Sequence, residues 1–428
     1  MDYKQKYLKY KQKYLNFLKN QKGGEPFLID ILVKPVYLWL FMKNQRQLEL
    51  IFTRRPFTIP PLENITLNHQ HRLSLLTRCS LSIVLASILV YSENNLQLKL
   101  QLAKRIMSRI HVHQPKSHPT CVATIARHTH MVNSIAFHPT KHFLVTCSND
   151  SFVKLWDCSI LQNPKHIRDL LPGHRNKVSS VAFHPTLPLL ASGSWDNTIK
   201  LWDCTDAQNP KFIKNLQHSG NISSVAFHPI FPLLASGSDD RTIKLWDCTN
   251  PQNPIKKDLQ PEHSNIVSSV AFHPTLPILA TCSNDKTVKL WDCTNPQNPT
   301  LIRDLLPGHT GSVYSVAFHP TLHLLATSSL DKTVKLWDCT NPQNPTHITD
   351  LLGHTHGVSS VIFHPTLPLL ASGSFNNIVK LWDCSDRQNP TLMPDLIGHT
   401  SAITSIAFHL TKPLLATGSQ DTTVKLWQ

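Results

Sequence analysis

The sequence predicts an all-β fold: a closed ring of seven four-stranded sheets, a β-propeller, preceded by a basic and partly helical N-terminal region. Three observations carry the prediction. The string Lys-Leu-Trp returns seven times, with its tryptophan at Trp156, Trp202, Trp246, Trp291, Trp337, Trp382 and Trp427. Each period divides into four strand-length segments set apart by turn residues. The chain stops at Trp427-Gln428, after the third strand of the last period, while a spare strand-length segment, Thr120–Ala126, stands ahead of the first.

The tryptophans are 44 to 46 residues apart, and a period in the forties with a Trp-Asp ending is the mark of a propeller blade. One period shows the four strands in order. Leu301, Ile302 and Leu305 follow Asn298-Pro299 and suggest an outer strand. Gly308-His309 opens a loop, and Ser312–Phe318 then alternates apolar and polar as a half-buried strand does. His319-Pro320 breaks that strand, and Leu324–Ser329 forms the next. Leu330-Asp331-Lys332 makes a tight turn, with Asp supplying local backbone hydrogen bonds, and Thr333–Trp337 is the last strand.

A ring of sheets must complete its final blade or expose an unpaired edge. The spare segment Thr120–Ala126 is the strand available, so deletion of residues 117–126 should open the ring.

These residues resemble the WD-repeat (WD40) family over residues 117–428. The resemblance implies a network in each blade joining a loop His, a Ser or Thr of the second strand, the turn Asp and the third-strand Trp. The matching columns give His174, Ser194, Asp196 and Trp202; His218, Ser238, Asp240 and Trp246; His309, Ser329, Asp331 and Trp337; and His399, Ser419, Asp421 and Trp427. The first, fourth and sixth repeats offer His128, His263 and His354 in the His column. A second hydroxyl always stands two residues earlier in the same strand, and the sequence leaves open which of the two joins the network. A buried polar group without a partner costs ~1–3 kcal/mol, which is the reason for such a set. The sixth repeat has Asn376 in place of the acid, and a weaker network is expected there.

The 428 residues carry a net charge of +15, unevenly placed. Residues 1–116 hold 19 Lys+Arg against 6 Asp+Glu, whereas the remainder holds 23 against 21. Any electrostatic attraction to nucleic acid or to an acidic membrane surface therefore belongs to residues 1–116 alone. Residues 1–20 read as a basic amphipathic helix, because Tyr3-Lys4-Gln5-Lys6-Tyr7-Leu8-Lys9 is nearly repeated by Tyr10–Asn16. This string resembles an N-terminal segment of proteins from giant amoeba-infecting (mimivirus-type) DNA viruses, which implies a viral origin. Residues 21–116 match no known pattern. Within them Ile59-Pro60-Pro61-Leu62-Glu63 resembles the opening of an F-box, though the residues that follow do not continue it. Ser or Thr two residues after Trp-Asp, as in Ser159 and Thr205, argues against the other propeller class of ligase adaptors, which has Arg there.

Two apolar stretches, Ile29–Met42 and Leu81–Tyr91, fall short of the roughly 20 residues a bilayer requires. No secretory leader precedes them. Six of the ten cysteines fall at one repeated place, from Cys158 to Cys384, on structural units too far apart to bridge. An intracellular, reducing location follows, which for a viral chain means host cytoplasm or virion.

No catalytic residue, metal site or cofactor is expected. The chain lacks Gly-x-Ser-x-Gly, a phosphate-cradling loop, His-Glu-x-x-His and Cys-x-x-Cys. Fourteen of its 25 histidines fall in two columns, and one His per blade does not converge on a metal. The second column, His138, His184, His228, His273, His319, His364 and His409, should lie on one rim and titrate near the ordinary value of about 6.5.

Seven internal copies reveal which positions the fold leaves free. The residue before the turn acid reads Asn149, Trp195, Asp239, Asn284, Leu330, Phe375 and Gln420. The third residue past the network His reads Met131, Lys177, Asn221, Ile266, Ser312, Gly357 and Ala402. In the WD-repeat family this turn lies on the docking face. The expected contact residues are Trp195, Leu330 and Phe375 as apolar anchors, Arg175 and Lys177 as nearby charge, with Met131 and Ile266 beside them. The function so implied is a non-enzymatic, monomeric scaffold that grips protein partners. The alternatives are a substrate receptor holding host ubiquitin-ligase subunits, and a nucleic-acid-associated virion component.

Overall fold

The computed structural model describes residues 119–428, Pro307 excepted. The N-terminal helix over residues 1–20, residues 21–116, and the two apolar stretches lie outside the described residues. Within them the chain forms seven four-stranded antiparallel sheets and no helix. The innermost strands, Val132–Phe137, Val178–Phe183, Ile222–Phe227, Val267–Phe272, Val313–Phe318, Val358–Phe363 and Ile403–Phe408, each lie against the next, and the last lies against the first. That closed cycle is a seven-bladed propeller. Blades are numbered here by these strands in chain order.

The outer segment of each period belongs to the preceding blade. Thr300–Asp304 pairs with Val288–Asp292 of blade 4, although it precedes the inner strand of blade 5. Blade 7 takes its outer strand from the front of the domain. Cys121–Ile125 runs antiparallel to Val424–Trp427, matching Cys121 with Trp427 and Ile125 with Val424. Thr120 and Gln428 exchange two backbone hydrogen bonds of 2.8 and 3.0 Å at the end of the seam.

Packing explains the sequence pattern within each blade. The second strand is buried along its whole length, as in Leu324–Ser329, because sheets cover both of its faces. The core is therefore divided among the blade interfaces. Between blades 1 and 2, Val145, Val153 and Leu155 meet Val178, Val181 and Trp202. Where Gly193 stands, a Cβ would come within 2.5 Å of Ile222 on blade 3, so the small residue sets the spacing between blades.

The Lys of Lys-Leu-Trp has its own structural work. Its stem is buried or half-buried and its ammonium reaches an acid of the outer segment: Lys154 to Asp169, Lys244 to Asp258, Lys289 to Asp304, Lys335 to Asp350 and Lys380 to Asp395, at 2.8–3.0 Å. Blade 2 uses Asn215, and blade 7 uses Thr124 of the closing strand. These pairs fasten the outermost strand of each blade to its neighbour.

The turn between the second and third strands has a repeated left-handed residue. Ser151, Asn197, Arg241, Lys286, Lys332, Asn377 and Thr422 all have φ between 67° and 74°, and none is glycine. An exposed Lys in that conformation costs ~1–2 kcal/mol that Gly avoids, partly offset by the extra entropy Gly loses on folding. Lys332→Gly should therefore raise stability by ~0.5–1 kcal/mol, read from the urea midpoint. An unchanged or lower midpoint would mean that the Lys332 side chain holds the turn.

Candidate functional site

The blade network and the variable rim meet at the same turn. In blade 2 the indole Nε1–H of Trp202 donates to Ser192 Oγ at 3.0 Å, and that hydroxyl donates to His174 Nε2 at 2.8 Å. The Nδ1–H of His174 then donates to Asp196 Oδ2 at 2.9 Å. With the imidazole proton assigned to Nδ1, every donor in this chain of bonds finds one acceptor. The same arrangement joins Trp246, Ser236, His218 and Asp240. It recurs as Trp337, Thr327, His309 and Asp331, and as Trp427, Thr417, His399 and Asp421.

The bridging hydroxyl is thus the one four residues before the acid, not Ser194, Ser238, Ser329 or Ser419. Those four serines work at the turn itself. Ser194 Oγ accepts the Asp196 N–H at 3.0 Å and donates to the Lys177 carbonyl at 2.9 Å. Ser238, Ser329 and Ser419 accept the N–H of Asp240, Asp331 and Asp421 in the same way. Both hydroxyls point to one face of the strand, two residues apart, so alternation in the sequence does not separate them.

The turn acid ties the loop to the hairpin. Asp196 Oδ2 also accepts the Arg175 N–H, and Oδ1 accepts the N–H and hydroxyl of Thr198. Burial pushes the carboxyl up, but hydrogen bonds from His174, Thr198 and the Arg175 backbone outweigh it and hold Asp196 well below the usual carboxylate range. Blade 6 shows what the acid contributes. There Asn376 turns its amide to Thr355, and the buried His354 Nδ1 has no hydrogen-bond partner. Burial then lowers the His354 imidazole to about 4.

The two variable columns are joined by backbone in all seven blades. The N–H of the residue before the turn acid donates to the carbonyl of the third residue past the network His. The pairs are Asn149 with Met131, Trp195 with Lys177, Asp239 with Asn221, and Asn284 with Ile266, at 2.8–3.0 Å. Leu330 with Ser312, Phe375 with Gly357 and Gln420 with Ala402 complete the set at 2.9–3.0 Å. The fold uses only main-chain atoms at this bond, and the side chains differ: Asn149, Asp239 and Asn284 accept hydrogen bonds from Asn133, from Asn221 and Ser223, and from Ser268, whereas Trp195 and Leu330 are exposed.

The structure divides the expected contact residues into two clusters. Trp195 on blade 2 is 40% exposed, with Lys177 Nζ 4.5 Å above its ring and the exposed Arg175 in the adjoining loop. Leu330 on blade 5 is 46% exposed and lies against blade 6. A Cβ at Gly357 would come within 2.9 Å of Leu330 and 3.1 Å of Phe375, so glycine lets these two side chains meet. Phe375 is half-buried, packed edge-on against Tyr314 with 5.5 Å between centroids. It is therefore the floor of the cluster and not a free-standing anchor. Two blades separate the clusters on either side of the ring. Met131 on blade 1 is 36% exposed and Ile266 on blade 4 is half-buried.

Tyr314 was missed by the sequence reading, and a signal for it existed. The second position of the inner strand reads Asn133, Ser179, Ser223, Ser268, Tyr314, Ser359 and Thr404, where only one residue is bulky.

A cavity of the described residues lies elsewhere. It measures about 420 Å³ and opens at the His-Pro loops of blades 1 and 2, where Lys141, Phe183, Leu187 and Cys204 line it. Those loops sit at the opposite strand ends from the tight turns. Among the described residues no three His, Cys, Asp or Glu side chains group as metal ligands.

The second histidine column departs from its expected titration. Six of the seven rings are buried, His364 being half-buried. Burial lowers His138, His228, His273 and His319 to about 4, and lowers His184, His364 and His409 as well. They do not titrate near 6.5 in the folded protein, because the charged form would be desolvated without a carboxylate to compensate it.

Comparison with known families matches the model described as WD domain, G-beta repeat seven times, over residues 119–157, 164–203, 210–247, 254–292, 300–338, 345–383 and 391–428. No curated protein matches the chain.

Proposed function

Because the chain belongs to the family of WD domain, G-beta repeat proteins, we propose that it is a non-enzymatic scaffold that docks protein partners on the face of its tight turns. The observation that carries this reading is the backbone pairing of the two variable columns. That bond asks nothing of the side chains of Trp195 and Leu330, which stay exposed at a cost of free energy in water. Trp with a stacked Lys, and Leu backed by Phe and Tyr, are the kinds of groups that dominate binding energy.

The reading supposes partners of two-point contact, one element reaching Trp195 and another the Leu330–Phe375–Tyr314 cluster. The nine described cysteines are all free thiols, and burial pushes most of them up, Cys204 and Cys339 to about 12. A scaffold of this kind works in a reducing compartment.

The test is affinity purification with the full-length chain and its Trp195→Ala, Phe375→Ala double variant. Loss of two such contacts should weaken the main interaction by ~100-fold or more, while the thermal transition stays cooperative. Unchanged capture by a folded double variant would move the docking surface off this face.

A further inference from the structure

The seven histidines opposite the docking face form one continuous belt. Each closes the inner strand of its blade and caps the loop that follows. The Nδ1 of His228 accepts the N–H of Ile230 and of Phe231 at 3.1 and 3.0 Å. His273 does so with Thr275 and Leu276, and His319 with Thr321 and Leu322, at 3.0–3.2 Å. The other four, His138, His184, His364 and His409, accept the same pair of amides.

Each ring also packs on the Phe that ends the inner strand of the next blade. His138 meets Phe183, His184 meets Phe227, His228 meets Phe272 and His273 meets Phe318, with centroids 5.0–5.2 Å apart. His319 meets Phe363 and His364 meets Phe408 at 4.9 Å, and His409 meets Phe137 of blade 1 at 5.1 Å. The belt therefore closes on itself, and every blade-to-blade joint passes through one imidazole.

Only the neutral ring with a bare Nδ1 fits this arrangement. A proton on Nδ1 removes the acceptor for two backbone amides and leaves a charge in a mostly apolar joint. The charged or titratable groups facing the rings are Lys141 at His138, His184 at His228, and His323 stacked 5.6 Å from His273. Arg387 and His364 face His319, and Lys412 and His142 face His409. None of these groups is an acid; the Asp338 carboxylate lies one step away, beside Arg387 and His323, where it accepts the Thr340 N–H.

We propose that this belt is an acid-operated latch: neutral imidazoles hold the propeller shut, and proton uptake opens its blade joints on the His-Pro side. The device is cooperative because the seven joints form a single cycle. Breaking a few loosens the packing of the rest.

The sign follows from linkage. An unfolded imidazole takes its proton near 6.5, while the folded rings hold out to about 4 in blades 1, 3, 4 and 5. Between those values the unfolded chain binds more protons, so stability is complete above pH 6.5 and is lost as pH falls toward 4. The depressed turn acids of the blade networks stay charged through this window and do not produce it.

The experiment uses the full chain and substitutes Asn, whose side-chain oxygen accepts the same two amides but does not titrate. Urea unfolding at a series of pH values gives the net protons taken up on unfolding. His228→Asn, His273→Asn and His319→Asn should each lower that number by close to one between pH 6 and 5, and the triple variant by about three. An unchanged pH slope in folded single variants overturns the latch. Imidazole titration of the wild-type chain by NMR decides independently should the triple variant not fold. Belt signals titrating near 4 support the proposal, and signals titrating near 6.5 in the folded protein overturn it.

Discussion

Deletion of residues 117–126 is expected to lower the stability of the propeller by on the order of 5 kcal/mol and to make it self-associate. Cys121–Ile125 is the outer strand of blade 7, matched against Val424–Trp427. Ile125 is buried among Val132, Val424 and Leu426, and losing a buried Ile side chain alone costs ~2–5 kcal/mol. The Thr120–Gln428 bonds, the ladder bonds and the Lys425 contact to Thr124 Oγ1 go with it, each ladder bond contributing ~1 kcal/mol. A loss of that size is a large share of the ~5–15 kcal/mol that holds a domain folded. The bared edge at Val424–Trp427 is then a template for another chain. Calorimetry with sedimentation checks both effects. A truncated protein that melts with the full-length chain and stays monomeric would show that the ring closes without this seam.

Thr327→Val should be the most damaging of the nearly isosteric substitutions, at ~2–4 kcal/mol. The Thr327 hydroxyl accepts from Trp337 Nε1 at 3.1 Å and donates to His309 Nε2 at 2.8 Å, with all three side chains buried. Valine keeps the volume but leaves an indole N–H and an imidazole nitrogen unpaired, at ~1–3 kcal/mol each. The control is Ser329→Ala in the same strand. Its hydroxyl accepts one turn amide, so a smaller loss is expected. Equal losses from the two substitutions, measured by urea unfolding, would mean that the hydrogen-bonded chain through His309 adds nothing beyond burial.

Much of this was legible in the sequence because the chain repeats itself. Seven copies fixed the period, the strand order and the network columns, and the unpaired segment at Thr120–Ala126 located the seam. Three features were not legible, each for a physical reason. Ser192 and Ser194 share a face of one strand, so no periodicity tells which reaches Trp202. The acid that receives Lys289 lies 15 residues on, across a loop, and the same offset recurs at Asp169, Asp350 and Asp395, yet a constant spacing alone does not tell a paired acid from a solvated one. The fate of the His138 column depended on burial, which an exposed-rim reading of His-Pro loops could not supply. At the candidate site the sequence named Trp195, Leu330 and Phe375 but not their grouping. Whether anchors meet depends on which blades carry them and on a small neighbour such as Gly357.

The amide-to-carbonyl bond between Trp195 and Lys177 has six equivalents around the ring. Fourteen positions thus hold their hairpins together through atoms that every residue but proline possesses at the donor end, and that every residue possesses at the acceptor end. Mutation at the exposed ones, such as Trp195 and Leu330, alters what the face displays while the bond beneath it persists. A lineage carrying such a domain is free to exchange one ligand for another by single steps, blade by blade, without passing through an unfolded ancestor.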